Sequence, residues 1–313
     1  MKTASWLGAD HAGSFFGQHA ILVLGLVLAS VFGAAIGLWH LLDQQETRLW
    51  NFADAAWKRL QNSAVLSYFR DRFPRAWTMV THRLSPEGYL GLHFTISLCV
   101  LSITAASFFA LADEVGEQDW LVHFDRALSV SLHEHSTLRT VGVFRLVTNL
   151  GNASTLAAIG MLVVIALVVS RHWQLLCVWA IALGGVGLIN EFLKNTFQRV
   201  RPQLPNPWIT ESGWSFPSGH AMGSLVIYGM LAYSLGLMTT SRALRLCIVF
   251  VAISLVIAIG FSRIYLGVHY FSDVVAGYCA ATFWLVLCIT GNEVARRHRK
   301  LRSLARDRNS ETV

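Results

Sequence analysis

Residues 244–261 read LRLCIVFVAISLVIAIGF, an apolar run in which Arg245 is the one charged residue. A run of about 18 apolar residues is long enough to cross the hydrocarbon core of a bilayer as a helix. The rest of the sequence contains comparable runs at residues 18–41, 89–112, 153–170, 173–193, 219–238 and 273–290. The sequence therefore predicts an all-α integral membrane protein.

The composition supports this class. Of the 313 residues, 54% are hydrophobic and 14% are charged, and the mean hydropathy is +0.49. Typical soluble domains carry roughly 25% charged residues. These values exclude a disordered chain, a coiled coil and most soluble enzymes. The net charge of +7 comes without any nucleic-acid-binding motif, so no nucleic acid is expected as a partner.

The basic residues predict the orientation in the membrane. With the N-terminus outside, the outer segments hold eight of the 25 Lys and Arg residues, and the other 17 lie inside. This asymmetry is the usual positive-inside pattern. We expect a multi-pass membrane protein with its C-terminal tail inside. The eight outer residues are Lys2, Arg126, Arg139, Arg145, Lys194, Arg199, Arg201 and Arg263.

Three parts can be distinguished along the chain. Residues 1–87 contain the first apolar run and a segment, 42–88, in which tryptophans alternate with basic residues. This segment is typical of amphipathic helices on the inner membrane surface. Residues 88–292 form a membrane-embedded core of six helices, and residues 293–313 form a basic cytoplasmic tail. An outer segment, 113–152, joins two spans and is expected to contain a short helix near 121–135.

Gly33 and Gly37 form a Gly-x-x-x-Gly pattern in the first apolar run. Such spacing allows two helices to approach closely and sometimes supports dimers. Ordinary packing within one chain is the commoner explanation of such a pattern. A homodimer through this helix is one of the two interpretations.

The first polar motif lies at the outer end of the fourth run, where Lys194 precedes Arg201-Pro202. Seven residues are two helical turns, so the two cations share one face for as long as the helix continues, and Pro202 is expected to end it. Two cations on one face suit a multiply charged anion. Taken alone, simple snorkelling of both side chains to the interface is the commoner explanation.

The second motif, Pro217-Ser218-Gly219-His220, opens the fifth run. Ser218 is a plausible N-cap, and Gly219 has no side chain to block the approach of a ligand to its backbone N–H. The N-terminus of a helix is a ready anion site, at which His220 could donate a proton.

The third motif is Ser262-Arg263, followed by His269 and Asp273. Arg263 carries a planar donor fork suited to phosphate oxygens. His269 and Asp273 are four residues apart, so a helix would place them on one face. Asp273 could then orient the imidazole and leave its other nitrogen free as a nucleophile.

Together the three motifs resemble the signature motifs of the type-2 phosphatidic acid phosphatase and vanadium haloperoxidase superfamily. The resemblance covers roughly residues 88–292 and implies the six-helix phosphatase core of its membrane branch. Residues 1–87, with one extra N-terminal transmembrane helix, lie outside the resemblance. It also implies roles. His269 is the nucleophile that forms a phosphohistidine, Asp273 activates it and His220 protonates the leaving oxygen. The phosphate oxygens bind Lys194, Arg201, Ser218, Gly219 and Arg263.

The resemblance implies a phosphatase that needs no metal and no cofactor, and the sequence shows no acidic cluster typical of a magnesium site. His123, His133, Glu134 and His135 lie in the outer segment without a fixed ligand spacing, so solvated histidines are expected there. The alternative within the superfamily is a haloperoxidase. Those relatives are soluble, whereas this chain contains membrane-spanning runs. A catalytically silent lipid-phosphate binding or transport protein is the alternative from another class.

The expected partners are a lipid phosphate substrate and membrane lipids, because the motifs lie at the membrane surface. Candidate substrates are undecaprenyl pyrophosphate, phosphatidylglycerol phosphate, phosphatidic acid and lipid A 1-phosphate. The three motifs contact the phosphate that these lipids share and do not rank them. The resemblance to the bacterial membrane branch of the superfamily implies a multi-pass protein of the bacterial inner (plasma) membrane, and its active site is expected to face the periplasm or the exterior.

Overall fold

The protein is described here from a computed structural model that covers residues 2–44, 59, 68, 71–74, 89–117 and 120–311. The described residues form helices and no β-strands. Several of these helices are longer than the roughly 17 residues that a membrane-spanning helix needs. The helices are α1 (Lys2–Gln18), α2 (Ala20–Gln44), α3 (Tyr89–Glu117), α4 (Trp120–Glu134), α5 (Leu138–Asn149), α6 (Ala153–Val169), α7 (Trp173–Phe197), α8 (Gly219–Met238), α9 (Arg242–Tyr265) and α10 (Phe271–Glu311).

Seven stretches of the described residues are long and apolar enough to cross a membrane, which confirms the predicted all-α membrane protein. The third stretch starts earlier than expected, because α5 precedes α6 in it. The outer segment 113–152 stays a prediction, because these stretches are defined by length and composition alone. The stretches are Ala20–Gly37, Phe94–Gly116, Leu138–Val169, Trp173–Phe197, Gly219–Met238, Arg242–Tyr265 and Phe271–Arg299.

Contacts divide the chain into two compact units, one of Met1–Ala29 with Val100–Val313 and one of Ser30–Cys99. Most of the predicted amphipathic segment, residues 42–88, lies outside the described residues. Gly33 and Gly37 are exposed, and a β-carbon added to either would meet no described atom within 4 Å.

Helix α8 is the centre of the larger unit. Half of its residues are buried, and it packs against α6, α7, α9 and α10. The core around it contains the fully buried Trp179, Met222 and Ile259. Small residues allow close approach where large side chains cross. Gly185, for example, leaves the space that the Trp284 indole fills. Packing of this kind drives helix association inside a membrane.

Helix α1 packs along α4 through a second pair of glycines, Gly13 and Gly17. A β-carbon on Gly13 would lie 2.7 Å from the Ala127 β-carbon, and one on Gly17 would collide with Ser131. The Ser131 hydroxyl also donates to the Ser14 carbonyl at 3.0 Å. The close approach that a Gly-x-x-x-Gly pattern permits is therefore used within the chain, at a pair that the sequence reading passed over.

Candidate active site

The three sequence motifs lie on neighbouring elements at one end of the helices of the larger unit. Antiparallel packing brings the C-terminal ends of α7 and α9 to the same side as the N-terminal ends of α8 and α10. Lys194 is in the last turn of α7, Ser218 to His220 open α8, Arg263 is in the last turn of α9, and Asp273 is in the first turn of α10. Arg201 and His269 lie in the connections just before α8 and α10.

Lys194 and Arg201 come together differently from the prediction. Helix α7 ends at Phe197, and Gln198 follows it in a left-handed conformation with φ 46°. The shared helix face is therefore wrong, because Pro202 lies beyond a helix that has already ended. Carbonyl groups of two connections fix the Arg201 guanidinium instead. They belong to Ser212 (3.1 Å), Gly213 (3.0 Å) and Val268 (2.9 Å).

His269 is 1% exposed and lies in the turn before α10, not on a helix face. Its Nδ1 is 3.4 Å from Asp273 Oδ2, while its Nε2 is 3.2 Å from Nη1 of Arg201. Because a guanidinium can only donate, Nε2 acts as the acceptor and the proton resides on Nδ1. This tautomer places the free lone pair of the imidazole among the cations.

Asp273 is fully buried and its two carboxylate oxygens are both occupied. Oδ2 accepts from the Tyr270 amide at 2.9 Å and from the Ser215 hydroxyl at 2.5 Å, and this hydroxyl is also 3.3 Å from His269 Nδ1. Oδ1 accepts from Arg199 Nη1 at 2.6 Å. A carboxylate held by three donors offers its imidazole partner a fixed orientation.

Arg199 and Asp125 extend this network, and the sequence reading missed both as site residues. Arg199 Nη2 pairs with Asp125 Oδ2 at 2.9 Å, and Asp125 Oδ1 accepts from the Ser272 amide at 3.1 Å. The Arg199 guanidinium also lies 4.2 Å from the centre of the Tyr270 ring. Burial raises the pKa of Asp125, against the opposing charge of Arg199. A buried charge pair of this kind fixes the position of α4 relative to α10.

His220 faces Asn152, which precedes α6. Its Nε2 lies 2.8 Å from Asn152 Oδ1, and the Asn152 amide in turn donates to Asn149 Oδ1 at 3.2 Å. That second bond orients the Asn152 amide so that its oxygen faces the histidine. Nε2 of His220 therefore carries a proton in this arrangement. Gly151 leaves room for the ring, since a β-carbon there would lie 3.1 Å from Cδ2 of His220.

Two buried polar atoms at the site have no hydrogen-bond partner among the described residues, the Ser218 hydroxyl and Nε of Arg263. Ser218 occupies the N-cap position that the sequence predicts, but its side chain does not cap the helix. Its backbone amide donates to the Asp273 carbonyl at 3.0 Å. Unpaired buried donors are rare in native proteins, so both atoms mark a place where an anion would be bound.

Glu211 lies on Arg263 and was also missed by the sequence reading. Nη2 of Arg263 donates to Glu211 Oε1 at 2.7 Å, and Nη1 donates to the Thr148 hydroxyl at 2.8 Å. Burial tends to raise the pKa of Glu211, but the hydrogen bond and charge of Arg263 outweigh it and lower the pKa. An ionised carboxylate is therefore paired with Arg263, one of the cations that the sequence assigns to phosphate binding.

The electrostatics of the site favour a neutral imidazole at position 269. Burial lowers the pKa of His269 to about 4, against the opposing hydrogen bond and charge of Asp273. The positive charges of Arg263 and Arg201 act in the same direction as burial. Because the pKa lies well below neutral pH, His269 is unprotonated there, as a nucleophile must be.

A cleft of about 370 Å³ starts at this site and runs between α6, α7 and α8. Lys194, Gly219 and His220 line its polar end. The rest of its wall is mainly apolar or glycine, and includes Leu156, Leu183, Val186, Gly187 and Ile227.

Comparison with known proteins gives three matches. The sequence profile of the PAP2 superfamily matches residues 175–297. Phosphatidylglycerophosphatase B of Bacillus subtilis (strain 168) is 34% identical over 115 residues, which are 36% of this chain and 56% of that relative. The chain thus spans little more than half the length of this curated relative. The crystal structure of the first transmembrane PAP2 type phosphatidylglycerolphosphate phosphatase, from Bacillus subtilis, superimposes with a TM-score of 0.57 at 27% identity, over 62% of this chain and 96% of that one.

Proposed function

We propose that this chain is a membrane lipid phosphatase of the PAP2 superfamily, hydrolysing a phosphomonoester or pyrophosphate on a lipid. The observation that carries the proposal is the cleft that continues from the cations into apolar walls. Ligand sites combine an apolar lining with a few polar groups that fix orientation. Here the polar end suits a phosphate and the apolar wall suits a hydrocarbon chain.

We propose the following roles for the site residues. Nε2 of His269 attacks phosphorus while the bond to the lipid oxygen breaks, and His220 gives that oxygen a proton. Lys194, Arg201 and Arg263 bind the phosphate oxygens together with Ser218 and the backbone at Gly219. A water molecule then attacks the phosphohistidine, His220 takes its proton, and inorganic phosphate leaves. Asp273 stabilises the positive charge that develops on His269 during attack.

The location of the site is a further part of the proposal. We place it on the periplasmic or exterior side of a bacterial inner membrane, with the tail inside, because basic residues are fewer in the connections at this end. A homodimer through Gly33 and Gly37 stays a prediction as well. The exposed surface at these glycines is compatible with it.

The substrate test compares lipids with their soluble head groups. Phosphate release should be measured on phosphatidylglycerol phosphate, phosphatidic acid, undecaprenyl pyrophosphate and lipid A 1-phosphate, and on glycerol 3-phosphate. We expect at least one lipid to exceed glycerol 3-phosphate in kcat/KM by about 100-fold or more, because the chain contributes hydrophobic binding in the cleft. Binding of these lipids without phosphate release would favour the silent lipid-phosphate binder instead.

A variant in the cleft links this selectivity to the structure. Gly187 lines the cleft, and a β-carbon there meets no described atom within 4 Å, so Gly187→Leu fills the space for the lipid chain without a clash. We expect the KM for the preferred lipid to rise by about tenfold, with a smaller change for p-nitrophenyl phosphate. Gly184→Leu is the matched control, since Gly184 is exposed on the same helix and does not line the cleft.

Metal independence is a separate prediction. Among the described residues no group of three or more His, Cys, Asp or Glu side chains could hold a metal ion, and His135, which follows α4, has its Nδ1 2.8 Å from the Ser131 carbonyl. Phosphate release should survive excess EDTA, and vanadate should inhibit it as a mimic of the transferring phosphoryl group. Loss of activity in EDTA with recovery in magnesium would contradict the prediction.

Glu211 gives a prediction of the opposite sign from the usual active-site variant. Its carboxylate must leave Arg263 before a phosphate oxygen can take that position. Glu211→Gln removes the competing charge, so we expect vanadate to inhibit three- to tenfold more strongly, about 1 kcal/mol. Glu134→Gln on exposed α4 is the control. Weaker inhibition by vanadate would show that Glu211 assists anion binding instead.

A further inference from the structure

We propose that the end of the helices opposite the candidate active site binds the head group of an anionic phospholipid. A cavity of about 710 Å³ lies there between α6, α7, α8 and α10. Helix α8 begins at Gly219 in the candidate site and ends at Met238, which lines this cavity. The two sites are thus separated by the length of a spanning helix. The inference does not depend on the phosphatase activity.

Basic side chains line the mouth of the cavity. Arg171, His172, Arg296 and Arg299 line it, and no Asp or Glu is among its lining residues. Arg296 pairs with Glu293 at 3.0 Å. Within the part of the chain that the structure describes, Arg171 and Arg299 have neither an ion pair nor a side-chain hydrogen bond. Two free guanidinium groups therefore face the same opening.

The backbone at Arg171 is an independent observation. Arg171 lies two residues beyond the last residue of α6 with φ 58°, the left-handed conformation in which helices usually end on glycine. Residues with a β-carbon adopt it rarely. An arginine thus occupies a position whose backbone conformation glycine would adopt more easily. What the arginine adds is a guanidinium at the mouth of the cavity.

The walls of the cavity indicate a lipid as the source of the anion. Behind the arginines lie apolar side chains, among them Leu175, Leu231 and Leu235, and Trp173 lies at the start of α7. Tryptophan is enriched at membrane interfaces, where head groups meet acyl chains. Basic pockets between spanning helices are known to receive anionic head groups on the inner side of membranes. A phosphodiester at the arginines with its acyl chain along the leucines fits this arrangement.

The test measures lipid binding to the purified full-length protein by native mass spectrometry. The protein is titrated with dioleoylphosphatidylglycerol and, separately, with zwitterionic dioleoylphosphatidylcholine. We expect the anionic lipid to bind more tightly. The double variant Arg171→Gln/Arg299→Gln should bind it about thirty-fold more weakly, since each basic residue near an anionic lipid contributes to binding. Arg171→Lys/Arg299→Lys should retain most of the affinity, which also shows that the altered side chains do not unfold the protein.

The control double variant is Arg242→Gln/Arg297→Gln, which removes two arginines from the same end of the helices but outside the cavity. We expect it to bind phosphatidylglycerol like the unaltered protein. An equal loss in this control, or equal binding of the two lipids by the unaltered protein, would overturn the proposal. So would displacement of the lipid by millimolar glycerol 3-phosphate, because the head group alone would then suffice. Loss of the bound lipid in Lys194→Gln would place it in the candidate active site and would also overturn it.

Discussion

His269→Ala should reduce phosphate release by on the order of 10⁴-fold, because the covalent intermediate then has no nucleophile. The free Nε2 of the imidazole lies 3.2 Å from Nη1 of Arg201, and the neighbouring carboxylate of Asp273 can only accept hydrogen bonds. The measurement is steady-state release from the preferred lipid together with trapping. Labelled substrate is quenched at alkaline pH, where phosphohistidine persists, and the label should be on His269 in the unaltered protein and absent in the variant.

The control for this variant is His135→Ala, an exposed histidine that follows α4 and contacts a backbone carbonyl. It should keep normal turnover. Because His269 is buried, His269→Asn serves as a second variant that leaves a smaller cavity. Both variants at position 269 should retain vanadate binding, since the cations remain. Normal turnover by His269→Ala, or label on His220, would refute the assignment.

Arg199→Met should produce the largest loss of stability among single substitutions at the site. It leaves two fully buried carboxylates, Asp125 and Asp273, without their shared cation. Removing one partner of a buried charge pair costs about 3–5 kcal/mol. The thermal unfolding midpoint in detergent should fall by several degrees or more, and kcat should fall because Asp273 loses one of the donors that orient it.

A second substitution tests whether the effect runs through the charges. Asp125→Asn in the Arg199→Met background removes one unpaired carboxylate, so the double variant should be more stable than Arg199→Met alone. This non-additivity is the signature of directly interacting groups. Arg139→Met, on the exposed face of α5, should change the free energy of unfolding by no more than about 0.5 kcal/mol. If the changes in unfolding free energy caused by Arg199→Met and by Asp125→Asn, each measured alone, simply add in the double variant, the network does not carry the stability assigned to it.

The spanning helices were predictable because hydropathy and length are local properties of the sequence. Runs such as 219–238 coincide with a helix, α8, to the residue. The three motifs were predictable because their residues are close in sequence. Arg199, Asp125 and Glu211 were not, since each acts through a contact with a distant part of the chain. Arg199 and Asp125 are 74 residues apart, and no period or spacing reports such a pair.

Local rules also failed where a connection replaced a helix. The seven-residue interval from Lys194 to Arg201 satisfied helical periodicity, but the helix ended at Phe197 and carbonyl groups of the connections positioned the arginine. The glycine pattern gave a similar result. Gly33 and Gly37 fit the rule, yet the close contact within the chain is at Gly13 and Gly17. Their helix, α1, is too polar to form an apolar run that would indicate a packed helix.

The contact of α1 with α4 bears on how the protein can be shortened. The region that matches the PAP2 profile starts at residue 175, yet the carboxylate that pairs with Arg199 comes from residue 125, on a helix packed against residues 13 and 17. An expression fragment limited to the matched region would lack Asp125, Thr148 and Asn152. A fragment that starts after residue 18 would lack α1 and would expose the apolar side of α4. The smallest unit that can be expected to fold around an intact site therefore extends upstream to the N-terminal helix.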